Sequence, residues 1–139
     1  MGEALLTGVN HVALSARDLK ATTAFYSEVF DLAVTEVADG NALLLFPNGS
    51  FLQFIDGTEY PTTERVERKG GDALLYEGES IDHLSLFASD TDALEIIRER
   101  LVARGASTGE RIDTAGIATT VRFQDPDGRI SEVTAYPAQ

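Results

Sequence analysis

Short runs of alternating apolar and polar residues make up most of this chain, and in two places the alternation gives way to helical spacing. Val9-Asn10-His11-Val12-Ala13-Leu14-Ser15 predicts a strand, and Ala16-Arg17-Asp18 a turn in which Asp18 caps a helix. Over 19–30 the positions Thr22, Phe25, Tyr26, Val29 and Phe30 recur at helical intervals, Thr22 being the weakest member. Strands are predicted next at 33–37, 42–46 and 51–55, with Gly40 and Pro47-Asn48-Gly49 between them. Residues 58–80 are polar and charged, with Pro61, Gly70 and Gly71, and read as a linker carrying a short ordered piece at 73–76.

The pattern then restarts. Residues 81–88 predict a strand, Ser89 or Asp90 a cap, and 91–104 a helix with Leu94, Ile97, Leu101 and Val102 inward and Gly105 closing it. Strands follow at 117–124 and 130–136, with a weaker one at 111–113. The last is preceded by Asp125-Pro126-Asp127-Gly128, a turn in which Pro126 fixes φ and Gly128 accepts a positive φ. Ile130, Glu132, Thr134 and Tyr136 share one face of that strand; Ser131, Val133 and Ala135 share the other. A carboxylate in the middle of such a face needs a partner, because an unpaired buried charge is costly.

A shift of 72 positions carries His11 onto His83, Leu14 onto Leu86, Asp18 onto Asp90, and Phe25 and Val29 onto Ile97 and Leu101. Near the end of each half the shift becomes 79, and Pro47, Asn48, Gly49 and Gln53 fall on Pro126, Asp127, Gly128 and Glu132. Turns, caps, apolar faces and polar centres agree together, so the chain reads as two copies of a β-α-β-β-β unit. The expected organisation is one α+β domain over 1–139, with module one at about 8–57, a linker at about 58–80 and module two at about 81–137.

The chain has only two histidines, and they occupy equivalent places in the two copies. His11 lies on the strand face of Val9, Ala13 and Ser15, and His83 on that of Ser85 and Phe87, while Val12/Leu14 and Leu84/Leu86 form aliphatic faces suited to packing on helices. Gln53 lies between Phe51 and Ile55 on the corresponding face of its own strand. Two neutral imidazoles and one carboxylate, Glu132, suit a divalent ion such as iron, manganese, zinc or nickel, and a facial arrangement leaves positions for substrate. Gln53 either adds a fourth oxygen or orients a bound ligand. The structural alternatives are a hydrogen-bonded histidine at each strand start, a solvated Glu132 at a sheet edge, and a Gln53 that bonds only a neighbour. Ser15, Phe51, Ser85, Phe87, Thr134 and Tyr136 are expected to line the same cavity as shape.

Charge narrows the partners. A net charge of −12 opposes binding to nucleic acid or to an anionic membrane surface. No apolar run approaches membrane-spanning length and no signal-peptide pattern opens the chain. The absence of cysteine excludes thiolate chemistry and suits the cytoplasm. The expected partner is a small-molecule substrate.

Asn10-His11-Val12-Ala13-Leu14 with Phe25-Tyr26, Ile81-Asp82-His83-Leu84-Ser85, and Asp125-Pro126-Asp127-Gly128 with Glu132 resemble the vicinal oxygen chelate superfamily of glyoxalases, extradiol dioxygenases and bleomycin-resistance proteins. The resemblance implies a cup-shaped mixed sheet built from the two modules, helices outside, around one divalent metal ion. His11, His83 and Glu132 match its ligand positions and Gln53 the fourth. It also implies a homodimer. Both histidines are used as ligands, so none remains as the further acid/base that extradiol dioxygenases carry. The order His, Gln, His, Glu resembles methylmalonyl-CoA epimerases, although no basic cluster is placed for coenzyme A phosphates. A metal-dependent lyase or isomerase of glyoxalase-like type is therefore expected, acting on a carbonyl or vicinal-oxygen metabolite, with Glu132 as proton shuttle when it leaves the metal. A non-haem iron dioxygenase and a non-catalytic drug-binding protein are the alternatives.

Overall fold

The computed structural model describes residues 2–38, 40–57 and 83–138. The expected linker at 58–80, its ordered piece at 73–76, and Ile81 and Asp82 lie outside the described residues. The chain divides into two compact units, Met1–Tyr60 and Pro61–Gln139.

The first unit runs β1 (His11–Ala16), α1 (Leu19–Phe30), β2 (Val34–Ala38), β3 (Asn41–Leu45) and β4 (Phe51–Asp56). The second runs β5 (Ser85–Phe87), α2 (Thr91–Ala103), β6 (Arg111–Thr114), β7 (Ala118–Gln124) and β8 (Ile130–Ala135). Their sheets have matching orders, β1-β4-β3-β2 and β5-β8-β7-β6. In each, the first strand pairs parallel with the last and the other pairs are antiparallel. These are two β-α-β-β-β units forming open four-stranded mixed sheets, as the repeat predicts.

The same local chemistry shapes both. Asp18 Oδ1 accepts from the Ala21 amide at 3.1 Å and Asp90 Oδ1 from the Ala93 amide at 2.7 Å, capping the two helices alike. In the β3–β4 turn the Phe46 amide donates to the Ser50 carbonyl and the Gly49 amide to that of Phe46. In the β7–β8 turn Asp125 bonds Arg129, and Gly128 bonds Asp125, through the same backbone groups. Gly49 and Gly128 sit at φ 88° and 84°, where a side chain would be strained. Asp125 is buried and closes its turn further, accepting from the Asp127 and Arg129 amides and from the Arg129 guanidinium at 2.9–3.0 Å.

Each helix covers one sheet face, α1 packing on β3 and β4 and α2 on β7 and β8. Tyr26, Val29, Leu44, Leu52 and Phe54 form the first core, and Leu94, Leu101, Val121, Phe123 and Val133 the second. Size is kept pair by pair across the strands. Ala42 opposite Phe54 in the first unit corresponds to Val121 opposite Val133 in the second. Leu44 opposite Leu52 corresponds to Phe123 opposite Ser131. A large–small pair therefore stands in for a medium–medium pair, the kind of exchange a close-packed layer tolerates.

Several expectations need correction. Val9 lies outside β1 and is 71% exposed. The strand expected over 81–88 has ladder geometry only at Ser85–Phe87 among the described residues. Val102, expected inward, is 42% exposed. It lies one step past Leu101, which takes the sheet-facing position, and it stands beside Gly109, where a Cβ would meet the Val102 Cγ2. The helix nonetheless ends as expected, with Gly105 at φ 68°, its amide on the Val102 carbonyl and that of Ala106 on Leu101. Helix α1 ends without a glycine: Asp31 takes φ 55°, a conformation aspartate tolerates better than most residues.

One ion-pair network holds α2 to β6. Glu95 receives hydrogen bonds from Arg111 and from Arg98. The Arg111 bond, then the Arg98 bond, hold the Glu95 carboxyl down at about 2 from its ordinary 4.5.

Candidate functional site

The partner that Glu132 requires comes from its own unit. Strand β5 lies parallel to β8 with Ser85 opposite Glu132, and the Glu132 amide donates to the Leu84 carbonyl at 2.9 Å. This register brings His83, two residues before Ser85, against the carboxylate: His83 Nε2 is 3.4 Å from Glu132 Oε1. The Glu132 side chain is 17% exposed and that of His83 42% exposed. On the other side, β7 sets Arg122 directly opposite Glu132, with Arg122 Nε 3.9 Å from Oε2. A cavity of about 250 Å³ opens here, lined by His83, Arg122, Ile130, Ser131 and Glu132. Farther along the face, Ser85, Thr134 and Thr120 form a chain of hydroxyls at 2.8 and 2.9 Å. Phe87 and Tyr136 meet edge to face at 5.1 Å and are 73% and 57% exposed.

The first unit builds a different surface on the equivalent strands. His11 lies opposite Phe51, and their rings stack in parallel at 4.7 Å. The His11 Nδ1 and Asn10 Oδ1 are 2.7 Å apart. With Asn10 as acceptor, the proton sits on Nδ1 and the Nε2 lone pair is left for a ligand, the arrangement that orients metal-binding imidazoles. Gln53, opposite Ala13, donates through Nε2 to Asn41 Oδ1 at 2.8 Å, which leaves its own carbonyl oxygen as an acceptor. Ser15 lies opposite Ile55 at the far end of the same pair of strands.

The anticipated residues thus fall into two groups. His83, Glu132, Ser85, Phe87, Thr134 and Tyr136 share one sheet face of the second unit; His11, Phe51, Gln53 and Ser15 belong to the first. Among the described residues neither unit gathers three His, Asp or Glu side chains about one point. The donor types fit a divalent ion nonetheless: in the second unit a His83 nitrogen and a Glu132 oxygen lie 3.4 Å apart, and in the first unit the His11 imidazole has its Nδ1 against Asn10. Sequence reasoning passed over Arg122, Asn41 and the tautomer role of Asn10. Arg122 was legible: a hairpin folded about Asp127 pairs 122 with 132, as it pairs Gln124 with Ile130.

The family model described as Glyoxalase/Bleomycin resistance protein/Dioxygenase superfamily matches residues 8–133. Among solved structures, the chain is similar to a lactoylglutathione lyase from Agrobacterium tumefaciens, with 20% identity, a TM-score of 0.68, and 95% of this chain and 96% of that one covered. It is also similar to a glyoxylase/bleomycin resistance protein/dioxygenase domain from Frankia sp. EAN1pec, with 27% identity, a TM-score of 0.67, and coverage of 94% and 98%. A third is a mutant of the genomically encoded fosfomycin resistance protein FosX from Listeria monocytogenes, solved with Mn(II) and 1S,2S-dihydroxypropylphosphonic acid, at 17% identity, a TM-score of 0.65, and coverage of 95% and 92%. No helix among the described residues is long and apolar enough to cross a membrane.

Proposed function

Because the chain belongs to the Glyoxalase/Bleomycin resistance protein/Dioxygenase superfamily, we propose that it is a divalent-metal-dependent enzyme of lyase or isomerase type acting on a small carbonyl or vicinal-oxygen metabolite. In this reading His11 and Gln53 supply the metal donors of the first unit, and His83 and Glu132 those of the second. The observation that carries it is the His83–Glu132 approach at 3.4 Å beside an open cavity, made by side chains far apart in sequence. A shared backbone scaffold alone would not require it.

A bound divalent ion supplies Lewis-acid polarisation of substrate oxygens. The rest is done by the chain. The Asn10 side chain holds the His11 proton on Nδ1, so that ring presents Nε2. Glu132, shielded by the sheet and flanked by a cation, would hold the ion in the resting site and, once released from it, would serve as the base that takes a proton from the carbon next to a substrate carbonyl and returns it. Gln53 is held by Asn41 with its carbonyl oxygen available. The reading also includes a homodimer in the cytoplasm.

Elemental analysis and metal titration test this directly. About one divalent ion per chain is expected in the wild-type protein, lost in both H83A and H11A variants that retain the wild-type circular dichroism. Wild-type protein that takes up no manganese, iron, nickel or zinc would sink the proposal. Oxygen uptake by iron-loaded protein with a catechol would instead assign it to the dioxygenase branch, and ligand binding unaffected by chelator would assign it to the binding proteins.

A further inference from the structure

We propose that Arg122 is an anchor for an oxyanion on the substrate, so that the molecule turned over is a small acid carrying a second oxygen next to its carboxylate. The inference rests on the reading of His83 and Glu132 as metal ligands. Arg122 lies on the same sheet face as Glu132, in register with it, and lines the cavity that both share with His83. Its strand is fastened at that residue, because the Ser107 hydroxyl donates to the Arg122 carbonyl at 2.5 Å.

Stability does not account for this arginine. Its side chain is 67% exposed and its separation from Glu132 is 3.9 Å, a geometry that contributes little in water. The equivalent position in the first unit, opposite Gln53, is Leu43, so the scaffold does not demand a cation there. A guanidinium beside a metal ligand opposes the binding of a divalent cation by like-charge repulsion unless an anion accompanies the ion. With a divalent ion held by neutral imidazole and a single carboxylate, the site beside Arg122 would carry an excess of positive charge, even in a chain whose net charge is −12. A substrate anion held by Arg122 would remove that excess, and a planar guanidinium matches a carboxylate with two parallel N–H bonds. The cavity of about 250 Å³ suits a small acid.

Oxalate, a dianion with vicinal oxygens, and catechol, which offers vicinal oxygens without a carboxylate, are the probes. Each is titrated into Mn(II)-loaded wild-type, R122Q and R122K protein by calorimetry, with manganese content measured in parallel. In R122Q the oxalate affinity is expected to fall about 10-fold or more while catechol affinity and manganese stoichiometry stay as in wild type. R122K recovers part of the oxalate affinity. If R122Q binds oxalate as tightly as wild type, or loses oxalate and catechol equally, the anchor is overturned while the metal reading stands. If wild-type protein holds no manganese or other divalent ion, both fall together.

Discussion

The two units are copies in backbone and strangers in chemistry. Their sheets run in the same order, their helices start on equivalent aspartates, and their last hairpins close with the same hydrogen bonds. On the faces away from the helices the likeness ends. The first unit presents a stacked His11–Phe51 pair and a Gln53–Asn41 amide pair. The second presents His83 against Glu132 with Arg122 alongside. Duplication therefore preserved what the fold needs, namely caps, turns and cross-strand volume, and left the exposed polar face free to diverge. A carboxylate and a guanidinium stand opposite each other on that face in the second unit, where the first has Gln53 and Leu43.

The largest expected effects probe the shared part. Phe54→Ala and Phe123→Ala remove fully or almost fully buried rings at different points of the two pair patterns. Each is expected to destabilise by about 3–5 kcal/mol in urea unfolding. A cost under about 1 kcal/mol in either would break the claim that both layers are packed to the same density.

Next comes the divergent part. Asn10→Ala removes the acceptor of the His11 ring proton, and metal affinity is expected to weaken about 10–100-fold. Nitrogen chemical shifts of the metal-free protein provide the second readout: His11 changes from a predominantly Nδ1-protonated ring to a tautomer mixture, and His83 does not change. Unaltered His11 shifts would dismiss the role given to Asn10.

Asp18→Ala and Asp90→Ala each remove one helix cap and are expected to cost about 1 kcal/mol, equally in the two units. A clear inequality in thermal unfolding would show that the helices are not equivalent in the copies. The smallest effect concerns a feature of the second unit alone. The carboxyl of Glu95 is held at about 2, below its ordinary 4.5, so its contribution to stability is present above pH 4.5 and is lost as pH falls from about 4.5 toward 2. Glu95→Gln is therefore expected to flatten the pH dependence of stability in that window and leave neutral-pH function unchanged. Thr23 holds the corresponding place in α1, where its hydroxyl bonds the Leu19 and Lys20 carbonyls of its own helix, so Thr23→Val is expected to leave the acid limb as it is.

Periodicity, capping residues and Gly-containing turns are local, and they determined the β-α-β-β-β repeat, both helix starts, the β3–β4 and β7–β8 turns and the faces on which His11, Gln53, His83 and Glu132 lie. Boundaries drifted where local rules run out: Val9 falls outside the β1 ladder, and Val102 is exposed because Leu101 already fills the sheet-facing place. Cross-strand register belongs to the tertiary structure, since pairing depends on which residues face each other and not on which follow each other. Register decided that Glu132 sits between His83 and Arg122, that Gln53 bonds Asn41, and that a phenylalanine could move from one strand of the layer to another while the volume of each pair was kept.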